Sequence, residues 1–198
     1  MTVRKGDATK QTILDEAINA ARFTGLSGLT IGSLADRTGL SKSGLYAHFR
    51  SKEALQLETM ARHREQFIAE VVRPALGRPR GEERLRELLR RWILWYQHPG
   101  GCLFLASATE FDDVTGPLHD QMVSDEQDLM ESLTQVLGTL VSTGDIVPEA
   151  DCGQLSQEVF GILLAYNWMH RILRDPRAEE RAWVAFDRLI DSLRPTSP

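Results

Sequence analysis

Three observations predict an all-α chain. Apolar residues recur at i, i+3, i+4 and i+7 in segment after segment, no stretch alternates with the period of two of a half-buried strand, and Gly, Pro and capping residues cut the sequence into helix-length pieces. The predicted architecture is an N-terminal three-helix head that contains a helix-turn-helix, followed by a longer helical body.

A first helix is expected over residues 9–24, with Ile13, Leu14, Ala17, Ala20, Ala21 and Phe23 as its apolar face and Gly25 at its end. A Gly- and Ser-containing turn then leads into residues 30–52, the most informative stretch. Thr30 can cap a short helix whose Ile31, Leu34, Ala35 and Thr38 form one stripe; Gly39 suits the left-handed residue that ends a helix; Ser41 can cap the next. The second helix is too short to bury much, so its polar residues need another use. In a helix-turn-helix that use is the major groove, where the N-terminal side chains of the second helix meet base edges.

After Phe49, Ser51 can cap a long helix with Leu55, Leu57, Met60, Phe67, Ile68 and Val71 on its apolar side, ending before Pro74. Residues 76–81, with Gly and Pro, read as a loop. Helices are expected at 82–97 and 102–111, then from Pro117 to 143 with Gly144 as the stop, and finally at 150–174 and 178–193.

At 198 residues, 42% apolar and 26% charged, the composition is that of an ordinary globular protein. Its net charge of −5 hides an asymmetry: up to Arg64 there are 10 Lys and Arg against 6 Asp and Glu, and from Glu65 onward 13 against 22. The basic end carries the helix-turn-helix, where attraction to phosphate is needed. No signal-peptide pattern and no run of ~20 apolar residues is present, so a cytoplasmic protein with no membrane partner is expected. Cys102 and Cys152 lack Cys-x-x-Cys spacing and are expected to be reduced and buried. No nucleophile elbow, Walker loop, His-Glu-x-x-His or dinucleotide fingerprint occurs, which argues against an enzyme and for no catalytic residues and no cofactor. The acidic run 110–113 lacks a His or Cys at ligand spacing; it is expected to be solvated, with no metal.

Leu34-Ala35, Thr38-Gly39-Leu40-Ser41, Gly44-Leu45-Tyr46, His48-Phe49 and Ser51-Lys52-Glu53-Ala54-Leu55 together resemble the N-terminal signature of TetR-family transcriptional regulators. The resemblance covers about the first third of the chain, and its Tyr-x-x-Phe-x-x-Lys core is specific. It implies a DNA-binding head at 1–52, a helical ligand-binding and dimerisation body at 53–198, and repression relieved by a small molecule. It also implies double-stranded DNA as a partner, with Tyr46 and His48 at positions that contact it.

The chemistry of the head fits that expectation. Lys42 and Ser43 stand in the first turn of the recognition helix; Gly44 replaces the Thr or Ser that relatives often carry, leaving close backbone approach. The Tyr46 phenol and His48 imidazole suit phosphate or base, Lys52 a phosphate, and Thr30, Gly32 and Ser33 the opposite strand's backbone. Leu45 and Phe49 belong to the core. In the body, Trp92, Trp95, Tyr96, Phe104 and Phe111 are candidates to line an effector cavity for an apolar or aromatic molecule. The absence of Lys and Arg between Arg91 and Arg171 argues against a strongly anionic one held by those segments. The last two helices are expected to form a homodimer, through Leu155, Val159, Ile162, Leu163 and Tyr166 on one and Trp183, Phe186, Ile190 and Leu193 on the other, with Gly161 and Ala165 permitting close approach. Two alternatives remain at this point: a helical module that docks protein, separated by sequence-dependent duplex binding, and a small helical enzyme, separated by turnover without DNA affinity.

Overall fold

The computed structural model describes residues 5–195. In chain order the helices are α1 (Lys5–Thr24), α2 (Ile31–Thr38), α3 (Lys42–His48), α4 (Lys52–Phe67), a π-helical turn (Ile68–Val72), α5 (Arg73–Leu76), α6 (Glu82–Tyr96), α7 (Leu103–Phe111), α8 (Pro117–Thr143), α9 (Cys152–Arg171) and α10 (Ala178–Asp191). Every regular element among the described residues is helical, as expected, and none is long and apolar enough to cross a membrane.

The chain does not stop before Pro74 but runs through it. Proline lacks the N–H that would bond the carbonyl of Glu70. The helix widens to a π turn just ahead, and the guanidinium of Arg91 donates from Nη1 to that same carbonyl at 3.0 Å. Two compact units result, Met1–Ile68 with His98–Ser124 and Ala69–Gln97 with Asp125–Pro198.

The first unit closes around Ala17, Leu34, Leu45, Phe49, Leu55 and Leu103, all essentially inaccessible. Asp15 on α1 accepts from Arg62 Nε and Gln66 Nε2 on α4, both at 2.8 Å, and fixes the two helices in register. Phe23 departs from its expected place on the apolar face and is 71% exposed, because it shares the outward face of α1 with exposed Asn19 four residues before it, while Ala21 in the same turn is buried; Ile68, within the π turn, is also exposed.

In the second unit α9 packs on α10 and α6, with the Tyr96 and Tyr166 rings stacked at 6.5 Å and Gln97 Nε2 donating to the Tyr166 hydroxyl at 2.9 Å. Leu155, Val159, Leu163, Tyr166, Phe186 and Ile190 are all buried within this unit. Those six of the residues expected to face a partner therefore face the subunit's own core, because two amphipathic helices satisfy their strongest apolar faces against each other first, whereas Ile162, Trp183 and Leu193 are half-buried and Gly161 and Ala165 are exposed. Cys102 is buried, whereas Cys152 is half-buried in the first turn of α9, a correction to its expected burial.

Candidate nucleic-acid interface

The turn into α2 is built by local hydrogen bonds. Ser33 N donates to Thr30 Oγ1 at 3.0 Å and Thr30 N to Ser33 Oγ at 3.1 Å, a capping box in which Ser takes the place of the usual Glu or Gln. Gly39, at φ 68°, ends α2 in the left-handed conformation, and its amide donates to the Ala35 carbonyl. Ser41 then caps α3 by accepting from Gly44 N at 3.1 Å. The two helices of the motif are thus begun and ended by bonds that close within four residues, independently of the packing around them.

Of the seven residues of α3 only Leu45 is buried, and Phe49 follows it into the core. The rest of the helix is turned outward. Lys42, Ser43, Gly44 and Tyr46 are exposed, Tyr46 by 55%, and His48 is half-buried with its ring 6.1 Å from that of Phe49. Thr30 and Ser33 are exposed at the start of α2 with Gly32 between them. A Cβ built on Gly32 would lie 3.8 Å from Lys42 Cε, so the lysine stem passes directly over this glycine. Lys52 opens α4 and donates from Nζ to the Ser27 carbonyl at 2.6 Å. An ammonium has two further donors. All nine residues expected to meet DNA therefore belong to the first unit, and none is buried.

Sequence reasoning missed what holds this surface in place. The Glu110 carboxylate on α7 is not solvated: Oε2 accepts from Leu26 N at 2.9 Å and from Ser27 N at 3.1 Å, while Gln56 Nε2 donates to the Leu26 carbonyl at 2.8 Å. Gly25, at φ 72°, lies so close that a Cβ there would fall 1.6 Å from Glu110 Oε1. No local pattern marks a carboxylate 84 residues away as the partner of a turn. His63 was missed as well. It is fully buried in α4, with Nε2 4.0 Å from Cys102 Sγ; burial, with the charges of Arg22 and His98, pushes its imidazole down to about 3.

The five residues expected to line an effector cavity fall in both units. Trp92 lines a cavity in the second unit. Trp95 and Tyr96 are buried in that unit's core, and Phe104 and Phe111 pack against the core of the first.

Comparison with known proteins matches the chain in two parts. Residues 13–59 match the family described as bacterial regulatory proteins, tetR family, and residues 81–186 match the tetracyclin repressor-like C-terminal domain. The class D tetracycline repressor protein of Escherichia coli is 33% identical over 72 residues, a match that spans 34% of this chain and only 31% of that protein. A TetR transcriptional regulator from Chloroflexus aurantiacus superposes with a TM-score of 0.83 at 25% identity over 96% of both chains. AibR, solved in complex with isovaleryl coenzyme A and operator DNA, shares the fold at a TM-score of 0.70 and 21% identity, over 95% of this chain and 99% of its own. With one profile over the caps and exposed face of the head and another over more than half the chain, this protein belongs to the TetR family of bacterial regulatory proteins.

Proposed function

We propose that the chain is a dimeric, effector-responsive repressor that binds a pseudo-palindromic operator, a binding protein rather than an enzyme. Residues 1–52 act as the DNA-binding part, and residues 53–198 bind the effector and the second subunit. One observation carries the reading: α3 gives a single side chain to the core and turns Lys42, Ser43, Gly44 and Tyr46 to solvent on a basic head. A helix with that division is suited to the major groove, with Lys42, Ser43, Tyr46 and His48 at base edges or phosphates and the Gly44 backbone in close approach. Thr30, Gly32, Ser33 and Lys52 then set register on the sugar-phosphate backbone. AibR, which shares this fold, has been solved with isovaleryl coenzyme A and operator DNA, a precedent for both kinds of partner.

A second subunit is taken by the outward face of α9 and α10. Leu164, Trp168 and Ile172 recur every fourth residue and are 38%, 61% and 60% exposed; Val184 on α10 is 43% exposed. Gly161, Ala165, Ala182 and Ala185 line a groove of about 430 Å³ between the two helices, where small side chains admit a partner helix closely. Two helices from each copy make an isologous four-helix bundle, and its two-fold symmetry demands inverted half-sites about one helical turn or slightly more apart.

The test is selection of bound fragments from random duplex DNA. Enrichment of an inverted repeat is expected, with one dimer per duplex. Recovery of unenriched sequence, or binding indifferent to sequence, would reject the reading in favour of a protein-docking module.

A further inference from the structure

We infer that the second compact unit holds a binding cavity for a small amphipathic anion, a carboxylate carried on a hydrocarbon or aromatic body. For its regulatory consequence this assignment rests on the function proposed above; its chemistry stands on the cavity itself.

The cavity, about 320 Å³, is bounded by α5, α6 and α8. Leu88, Trp92, Leu133 and Val136 form its apolar wall, and Arg80 and Arg84 stand among the lining residues with Ser132 and Gln135. No acidic side chain lines it among the described residues. Two guanidinium groups without a carboxylate between them beside an apolar wall attract an anion and place its hydrocarbon part out of water. These cations come from the loop ahead of α6 and from the first turn of α6 itself, outside the stretch between Arg91 and Arg171 that has no Lys or Arg. An apolar or aromatic body, as expected from that stretch, is thus joined to an anionic group held from outside it.

The loop that carries Arg80 is held in advance. Gly81 N donates to Thr139 Oγ1 at 3.0 Å and Glu82 N to Asp145 Oδ2 at 2.9 Å. Gly81 itself, at φ 94°, sits so near that a Cβ would lie 2.2 Å from Asp145 Oδ2. Arg84 donates from Nε and Nη2 to the Arg78 carbonyl at 3.2 and 2.9 Å, which fixes its plane and leaves its remaining donors for a carboxylate. A site ordered beforehand loses less on binding. At the ~30 Å³ that one water molecule occupies in the liquid, the volume suits a ligand of about ten non-hydrogen atoms.

Octanoate and its uncharged counterpart octanol are the probes, titrated into the full chain by calorimetry and by tryptophan fluorescence, since Trp92 forms part of the wall. Octanoate is expected to bind saturably at one per chain and at least about tenfold more tightly than octanol. Arg80→Gln, at an exposed position, should remove most of that preference and spare octanol; Ser132→Phe, also exposed, should fill the cavity and weaken both. Equal affinity for the two probes, a preference intact in Arg80→Gln, or binding of neither would overturn the assignment. The same samples are run against the selected duplex. Octanoate that fails to bind a protein still able to shift the duplex overturns the cavity and leaves the DNA-binding reading standing. Saturable, Arg80-dependent octanoate binding by a protein that shifts no duplex supports the cavity and rejects that reading.

Discussion

Replacing Glu110 with alanine removes the acceptor of two backbone amides in the turn between α1 and α2. Leu26 N, 2.9 Å from Oε2, belongs to a fully buried residue; Ser27 N, 3.1 Å away, belongs to an exposed one whose amide water can satisfy. A hydrogen bond to a charged acceptor contributes ~1.5–3 kcal/mol, and the exposed member of the pair adds little, so the variant should be less stable by about 2 kcal/mol. Glu110→Gln keeps an oxygen acceptor without the charge and should forfeit about half of that. At the ~2–4 °C per kcal/mol expected for a chain of this size, alanine should lower the melting temperature by about 4–8 °C and glutamine by about 2–4 °C. Circular dichroism at neutral pH gives the melting temperatures, and hydrogen exchange at the Leu26 and Ser27 amides locates the change. The same turn sets where α2 begins, so operator affinity should fall in the same order, alanine more than glutamine. An alanine variant that melts with the parent and keeps both amides protected would show that the carboxylate does not hold the turn.

Three further outcomes are expected. His63 is neutral in the fold with its imidazole depressed to about 3, so the unfolded chain binds the extra proton below the ordinary value near 6.5. Stability present above pH 6.5 should therefore decline as the pH falls from there toward 3, by about 1 kcal/mol between pH 7.5 and 5.5, and His63→Phe should flatten that part of the urea-denaturation profile. Trp168→Glu, 61% exposed, should give a folded monomer by light scattering, whereas Leu163→Arg, fully buried, should unfold the second unit; a dimeric Trp168→Glu protein would place the subunit interface elsewhere. Thr30→Ala removes both side-chain bonds that Thr30 contributes to the cap of α2 and should cost about 1 kcal/mol in thermal unfolding.

The caps make the fold legible. Thr30, Gly39, Ser41 and Ser51 carry their signals within four residues of where they act, so the order of helices and the outward face of α3 follow from the sequence. Leu45 and Phe49, four apart on the inward side, are legible for the same reason, and both are inaccessible. Periodicity fails where two partners compete for one apolar stripe. The faces of α9 and α10 look equally suited to a second subunit and to each other, and only packing shows that Leu163 and Phe186 turn inward while Trp168 turns out. Pro74 reads as a stop because its missing donor is local, whereas the arginine that serves the stranded carbonyl lies 21 residues on. Glu110 is a long-range feature of the same kind: the turn it serves is brought near by the fold and leaves no spacing to read.

Fluorescence anisotropy of the selected duplex across a salt series tests the exposed face of α3 most directly. Tyr46→Ala, at a position more than half exposed, should weaken binding by about tenfold while the melting temperature stays that of the parent. Lys52→Ala should weaken binding on every duplex and make the salt slope shallower by ~0.9 for each phosphate that each subunit no longer neutralises. If both variants bind the duplex with the parent's affinity and salt slope, α3 and the start of α4 do not form the DNA-binding surface.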